Sequence, residues 1–133
     1  MNRYTTEDYI RYRIQRANNT LKEAELLLSN HFWNTAINRM YYACFYAVGA
    51  LLVKNHIKTT THTGCRQKFG LHFVKTGIIS KELGRHYTEL FEKRHKGDYD
   101  DFFDYDEEST RKLLEPSKEL VNKIEDLLLS NQS

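Results

Sequence analysis

Seventeen consecutive residues, Ala36 to Leu52 (AINRMYYACFYAVGALL), carry one charge (Arg39), one glycine and no proline. At 100° per residue, Ile37, Met40, Tyr41, Cys44, Ala47, Val48 and Leu51 form one apolar stripe. The opposite face holds Arg39, Tyr42, Ala43 and Tyr46, which is not the charged surface of an outer helix. A helix apolar nearly all round is a buried one, so this segment belongs at the centre of a bundle. One face would pack on its own chain and the other on further helices or a second copy, which makes a homodimer the expected assembly. Arg39 is then the awkward residue, because a buried guanidinium must be paired and hydrogen-bonded.

The flanking sequence supplies the rest of the bundle. Thr5 with Asp8 three residues on reads as a capping box, opening a helix whose inner face is Ile10, Ile14, Ala17, Leu21, Ala24 and Leu28. It ends near Asn30. The short break at Asn30-His31 makes it an antiparallel neighbour of the central helix, which runs to about Lys54. Thr60, Thr61 or Thr63 can cap a third, shorter helix, about Gly64 to Lys75, with Cys65, Phe69, His72 and Phe73 on one side and Gly77 at its end. Ser80 is the expected cap of a fourth helix, Lys81 to Gly97, whose inward face of Leu83, Tyr87, Leu90 and Phe91 continues onto Arg94 and Asp98. DYDDFFDYDEE then reads as an acidic loop anchored by Phe102 and Phe103. A last helix is expected over Ser109 to Ser130, kinked or divided at Pro116. The expected fold is all-α: one domain over residues 1–133, a four-helix up-and-down bundle with one additional short helix.

Composition narrows the setting. Two cysteines, no signal peptide and no apolar run long enough to span a bilayer point to a reduced, cytoplasmic environment without membrane association. The net charge of +2 hides an imbalance: residues 1–97 hold 16 Lys/Arg and 7 Asp/Glu, while residues 98–133 hold 4 and 11. The basic part can attract phosphates; the acidic end can screen it or bind a basic partner.

Most enzyme classes leave no trace here. The six histidines include no HExxH, and His62 with Cys65 has ligand spacing but no second pair. Asp98, Asp100 and Asp101 are the acids nearest to a magnesium site, yet acids clustered in a loop are ordinarily solvated. No metal and no cofactor are therefore expected. No phosphate-binding glycine loop and no G-x-S-x-G elbow occur. The candidates that remain are the inward charges. Arg39, Arg94 and Asp98 either form a buried network with Tyr41 or Tyr42 that fixes helix register, or line a cleft that grips a phosphate.

The segment NRMYYACFYAVGALL resembles the signature helix of the HEPN superfamily, in the small single-domain branch typified by N-R-x-Y-Y-A-x-F-x-A. Thr61-His62-Thr63-Gly64 and RHKGDY, Arg94 to Tyr99, fit the same family, whose later motif reads R-x-x-A/G-D-Y. The likeness runs from about residue 5 to 129. It implies a two-fold dimer cleft and, in active members, metal-independent RNA cleavage by an arginine followed after four to six residues by a histidine. On these motifs Arg94, Asp98 and Tyr99 are the candidate catalytic residues, and Arg39, Tyr42 and His62 the candidate ligand-binding ones. The chain departs from the active pattern: Asp98 stands where a histidine is required, and a carboxylate at its ordinary pKa is a poor general acid at neutral pH. Arg66 and His72 meet the spacing elsewhere, on the shorter helix. The resemblance implies the toxin-like partner of a nucleotidyltransferase, acting on or binding RNA. The alternative is a non-catalytic dimeric helical module that binds a nucleotide or a protein partner.

Overall fold

The computed structural model describes residues 4–100 and 103–130. Among them there is no strand. Four long helices, α1 (Thr6–Ser29), α2 (Trp33–Lys54), α4 (Lys81–Tyr99) and α6 (Leu114–Ser130), make the bundle, and two short ones, α3 (His62–Phe69) and α5 (Glu107–Arg111), join it. The last helix expected from sequence is thus two: a break at Lys112 and Leu113 separates α5 from α6. Pro116 sits in the first turn of α6, where its missing N–H costs nothing.

The starts obey local chemistry. Thr5 and Asp8 form the capping box of α1, and the side chains of Thr61, Ser80 and Asp106 accept backbone N–H bonds at the starts of α3, α4 and α5. The ends of α1 and α2 repeat one another. Asn30-His31-Phe32 and Asn55-His56-Ile57 each place the histidine at positive φ (64° and 58°), and the following N–H reaches back to Leu27 O and Leu52 O. This is the left-handed helix termination usually given to glycine. Past Phe69 the backbone widens into one π-helical turn, Gly70–Val74, before Gly77, at φ 85°, reverses it.

The core gathers around α2. Ile37, Met40, Tyr41, Cys44, Ala47, Val48 and Leu51 are all buried, as are Ala36, Ala43, Ala50 and Leu52 from its other sides. α1 covers one flank, and α4 and α6 the others. By length and composition alone α2 is long and apolar enough to cross a membrane, contrary to the sequence expectation. In the fold it is the core helix, mostly buried by its own chain, and that position explains its composition. On the third helix Cys65, Phe69 and Phe73 turn inward as expected, but His72 is exposed because the π turn rotates it off that face.

Candidate phosphate-binding site

Asn38, Tyr41, Tyr42 and Phe45 stand at i, i+3, i+4 and i+7 of α2, so they share one face. α4 and α3 close over it. The Arg94 guanidinium lies 4.9 Å from the Tyr41 ring and 5.8 Å from the Tyr42 ring. Arg94 is 9% exposed, and its Nε is buried without a hydrogen-bond partner. Its carboxylate neighbour, Asp98, is 3.9 Å away, a long contact. Asp98 in turn accepts a hydrogen bond from Asn38 Nδ2 at 3.0 Å, and Asn38 Oδ1 accepts from Arg39 Nε and Nη2 at 3.1 and 2.8 Å. Arg39 lies over the other side of the network, 5.2 Å from the Tyr42 ring, with Glu23 at 3.4 Å. One chain of polar groups therefore runs from Glu23 through Arg39, Asn38 and Asp98 to Arg94.

His62 enters from the start of α3. Its Nδ1 is 2.7 Å from the Tyr41 hydroxyl, and its ring stacks on Phe45 at 4.3 Å. Burial and then the charge of Arg94 hold the imidazole below its ordinary pKa, while burial pushes the Tyr41 phenol up to about 12. Both are neutral at pH 7. Beside His62 opens a groove of about 610 Å³, whose walls include Arg13, Phe45, His56, Lys58 and Thr60.

Five of the six residues expected at the site are brought together: Arg39, Tyr42, His62, Arg94 and Asp98. Two expectations need correction. Tyr99 stands apart, 70% exposed with its ring against His95, because it lies on the outer side of the last turn of α4. Asp98, expected to point inward with Arg94, stays at the surface, where it meets Asn38 at the edge of α2. Arg66 and His72 do not pair among the described contacts: Arg66 lies over Phe91 and His72 faces outward. Asp101 and Phe102, expected in an acidic cluster and as a loop anchor, lie outside the described residues. Among the described residues no three His, Cys, Asp or Glu side chains gather as metal ligands.

Asn38 joins the two arginines through Asp98, yet sequence reasoning passed over it. Its place one turn before Tyr41 and Tyr42 was the available signal. Asn34, a further turn back, clamps the loop after α4 by donating to Phe103 O at 2.9 Å and accepting from Tyr105 N at 2.8 Å.

The HEPN domain family matches residues 10–127 of this chain. A UPF0332 protein of Thermotoga maritima is 38% identical over 122 residues, covering 92% of each chain. Two proteins of Methanocaldococcus jannaschii are also similar. The one named "Putative toxin MJ0142" is 32% identical over 117 residues, 88% of this chain and 80% of its own. The one named "Putative toxin MJ0605" is 36% identical over 86 residues, 65% and 64% respectively. With that match spanning the bundle, and with the motif residues Asn38, Arg39, Tyr41, Tyr42, Arg94 and Asp98 packed into one network, this chain belongs to the HEPN domain family.

Proposed function

We propose that this chain is the toxin-like member of a two-protein module, that its partner is a nucleotidyltransferase, and that it binds RNA in the cytoplasm through Arg94. Arg94 itself carries the reading. A guanidinium that is nine-tenths buried, with one N–H unpartnered and a carboxylate only at 3.9 Å, is under-satisfied. A phosphate oxygen pair is the natural complement of that planar fork. Arg39, joined through Asn38 and Asp98, adds a second positive charge at the same edge of α2. The toxin role follows from the names of relatives that span much of the same chain. The half-buried face of Arg39, Tyr42 and Tyr46 suits a homodimer interface, whose cleft would then hold the network of each copy.

The same fork would grip a free nucleotide, so the test separates the two. A labelled single-stranded RNA and a labelled nucleoside triphosphate are titrated, with EDTA present, into wild type and Arg94→Met. Methionine fills the buried space without a charge and leaves the bundle folded. RNA affinity is expected to fall at least tenfold in the variant. Equal RNA binding by both proteins overturns the reading, and binding of the nucleotide alone replaces it by the non-catalytic module. Growth arrest on expression, relieved by co-expressing the nucleotidyltransferase of the same module, is the expected cellular result. Sedimentation equilibrium over a micromolar range checks the dimer; a monomeric mass throughout removes it.

A further inference from the structure

Among the described residues, the buried side-chain polar atoms without a hydrogen-bond partner are Nε of Arg94 and Nε of Arg66. They belong to different helices, yet one aromatic path joins them. The Arg94 guanidinium is 4.9 Å from the Tyr41 ring centre, and Tyr41 meets Phe91 edge-on at 6.0 Å. The Arg66 guanidinium lies 4.8 Å from the centre of that same Phe91 ring. Phe91 stands one turn before Arg94 on α4, so both arginines border one stretch of that helix.

Arg66 differs from a surface arginine in what holds it. It is only partly buried, and among the described residues no hydrogen bond or ion pair engages any of its nitrogens. The Phe91 ring fixes the plane of the guanidinium and leaves its fork unused. A closed-off N–H without a partner is costly, and a phosphate oxygen pair is the ligand that such a fork fits. The groove that Arg66 borders, about 770 Å³ between α3 with its π turn and α4, carries the same charge onward. Lys75 and Lys81 edge it with no carboxylate partner among the described residues, and Arg85 has only the exposed Glu82 at 3.6 Å. Of the two carboxylates on its α4 wall, Glu89 is engaged by Lys93 at 3.6 Å, which leaves Glu92.

We propose that Arg66 is a second phosphate-binding residue, and that one single strand of RNA spans Arg94 and Arg66 across Phe91. The inference rests on the RNA reading of Arg94 and deepens it, because it makes the ligand a strand rather than a lone nucleotide. Single strands are held by cations spaced along the backbone with aromatic side chains between them. Phe91, partly exposed between the two forks, is the apolar surface for the intervening nucleotide. The basic edge beyond Arg66 adds a field that favours the next phosphates.

The test titrates a labelled hexauridylate RNA and uridine 5′-monophosphate into wild type, Arg66→Met, Arg66→Gln, Arg66→Lys and Arg94→Met, at several salt concentrations with EDTA. Two neutral replacements of Arg66 guard against a folding failure in one, which circular dichroism detects. Both are expected to weaken hexanucleotide binding by about tenfold. The slope of log affinity against log salt should fall by about 0.7, the contribution of one phosphate on a single strand. Binding of the mononucleotide, which reaches Arg94 alone, should change by less than about twofold. Arg66→Lys is expected to lose about threefold with the salt slope retained, since the fork is gone and the charge stays. Unchanged hexanucleotide affinity and slope in a folded neutral variant, with Arg94→Met impaired, overturns the role of Arg66 while the RNA-binding reading stands. So does an equal loss for mononucleotide and hexanucleotide, which would put Arg66 on the same phosphate as Arg94. Unimpaired RNA binding by Arg94→Met overturns the RNA-binding reading itself.

Discussion

The guanidinium of Arg13 lies on the backbone of Gly49, in the space that a β-carbon there would fill. From this position Arg13 Nε donates to Tyr46 O and Nη2 to Phe45 O, both at 3.2 Å, tying α1 to the middle of α2. Glycine inside a helix costs about 1 kcal/mol relative to alanine, and the charge-assisted bonds that its smallness permits offset that loss. Gly49→Ala is therefore expected to destabilise the wild type by about 1–2 kcal/mol, because Arg13 is displaced from both carbonyls. In an Arg13→Ala background the same change should stabilise by about 1 kcal/mol, as helix propensity alone predicts. Urea denaturation of the four proteins checks the cycle. Simple additivity would show that Arg13 is not what requires glycine at this site.

Arg39 is paired but not buried. Its side chain is 27% exposed and that of Glu23 56%, at 3.4 Å. Arg39→Ala should cost about 1 kcal/mol in chemical denaturation, well short of the roughly 3–5 kcal/mol expected for breaking a fully buried pair. A loss of about 3 kcal/mol or more would mean that a second copy buries this residue in solution.

Acid should weaken the fold before its carboxylates titrate. His86 is buried between α4 and α6, where its Nε2 meets Ser117 Oγ at 2.9 Å, and Ser117 Oγ donates to Leu113 O at 2.8 Å. With that hydroxyl committed as donor, Nε2 carries the hydrogen and donates it to Ser117 Oγ. Burial pushes the His86 pKa down to about 4. The folded pKa lies below the unfolded value near 6.5, so the stabilisation is fully present above pH 6.5 and is lost as pH falls towards 4. The loss should approach about 3 kcal/mol across that window. Denaturation at pH 7 and pH 4.5, for wild type and His86→Gln, measures it. His62, also held below its ordinary pKa, contributes in the same direction, so the variant should retain a smaller slope. An unchanged slope would remove His86 as its cause.

Neither thiol should react in the native state. Cys44 is 0% and Cys65 2% exposed. Burial pushes the Cys44 thiol up to about 12 and raises Cys65 as well, so thiolate is scarce even where reagent could reach it. An aromatic disulfide reagent should titrate no fast thiol in buffer and two in denaturant. Rapid labelling of Cys65 in buffer would show that α3 opens locally.

Much of the fold was legible because it follows from short-range rules. Thr5 and Asp8 cap α1 through bonds three residues apart, and the apolar stripe from Ile37 to Leu51 is a consequence of helical pitch. The division between α5 and α6 was less legible. Thr110 Oγ1 turns back to Asp106 O at 2.6 Å, and Arg111 Nη2 reaches Leu28 O at 3.3 Å, just before the break between the two helices. The first bond is local; the second depends on where α1 ends in space.

The sequence by itself determined that α2 is a core helix, where most helices start, and that Arg94 points inward, since each depends on neighbours within a turn or two. It also carried the family motifs that hold Asn38, Arg39 and Tyr42. Only the tertiary structure decided that Asp98 answers Asn38, that Arg13 seats on Gly49, and that His62 meets Tyr41 beside Arg94. Those partners lie tens of residues apart on different helices. Which of them meet is set by the angle and rotation at which whole helices pack, and side-chain periodicity within one helix leaves both undetermined.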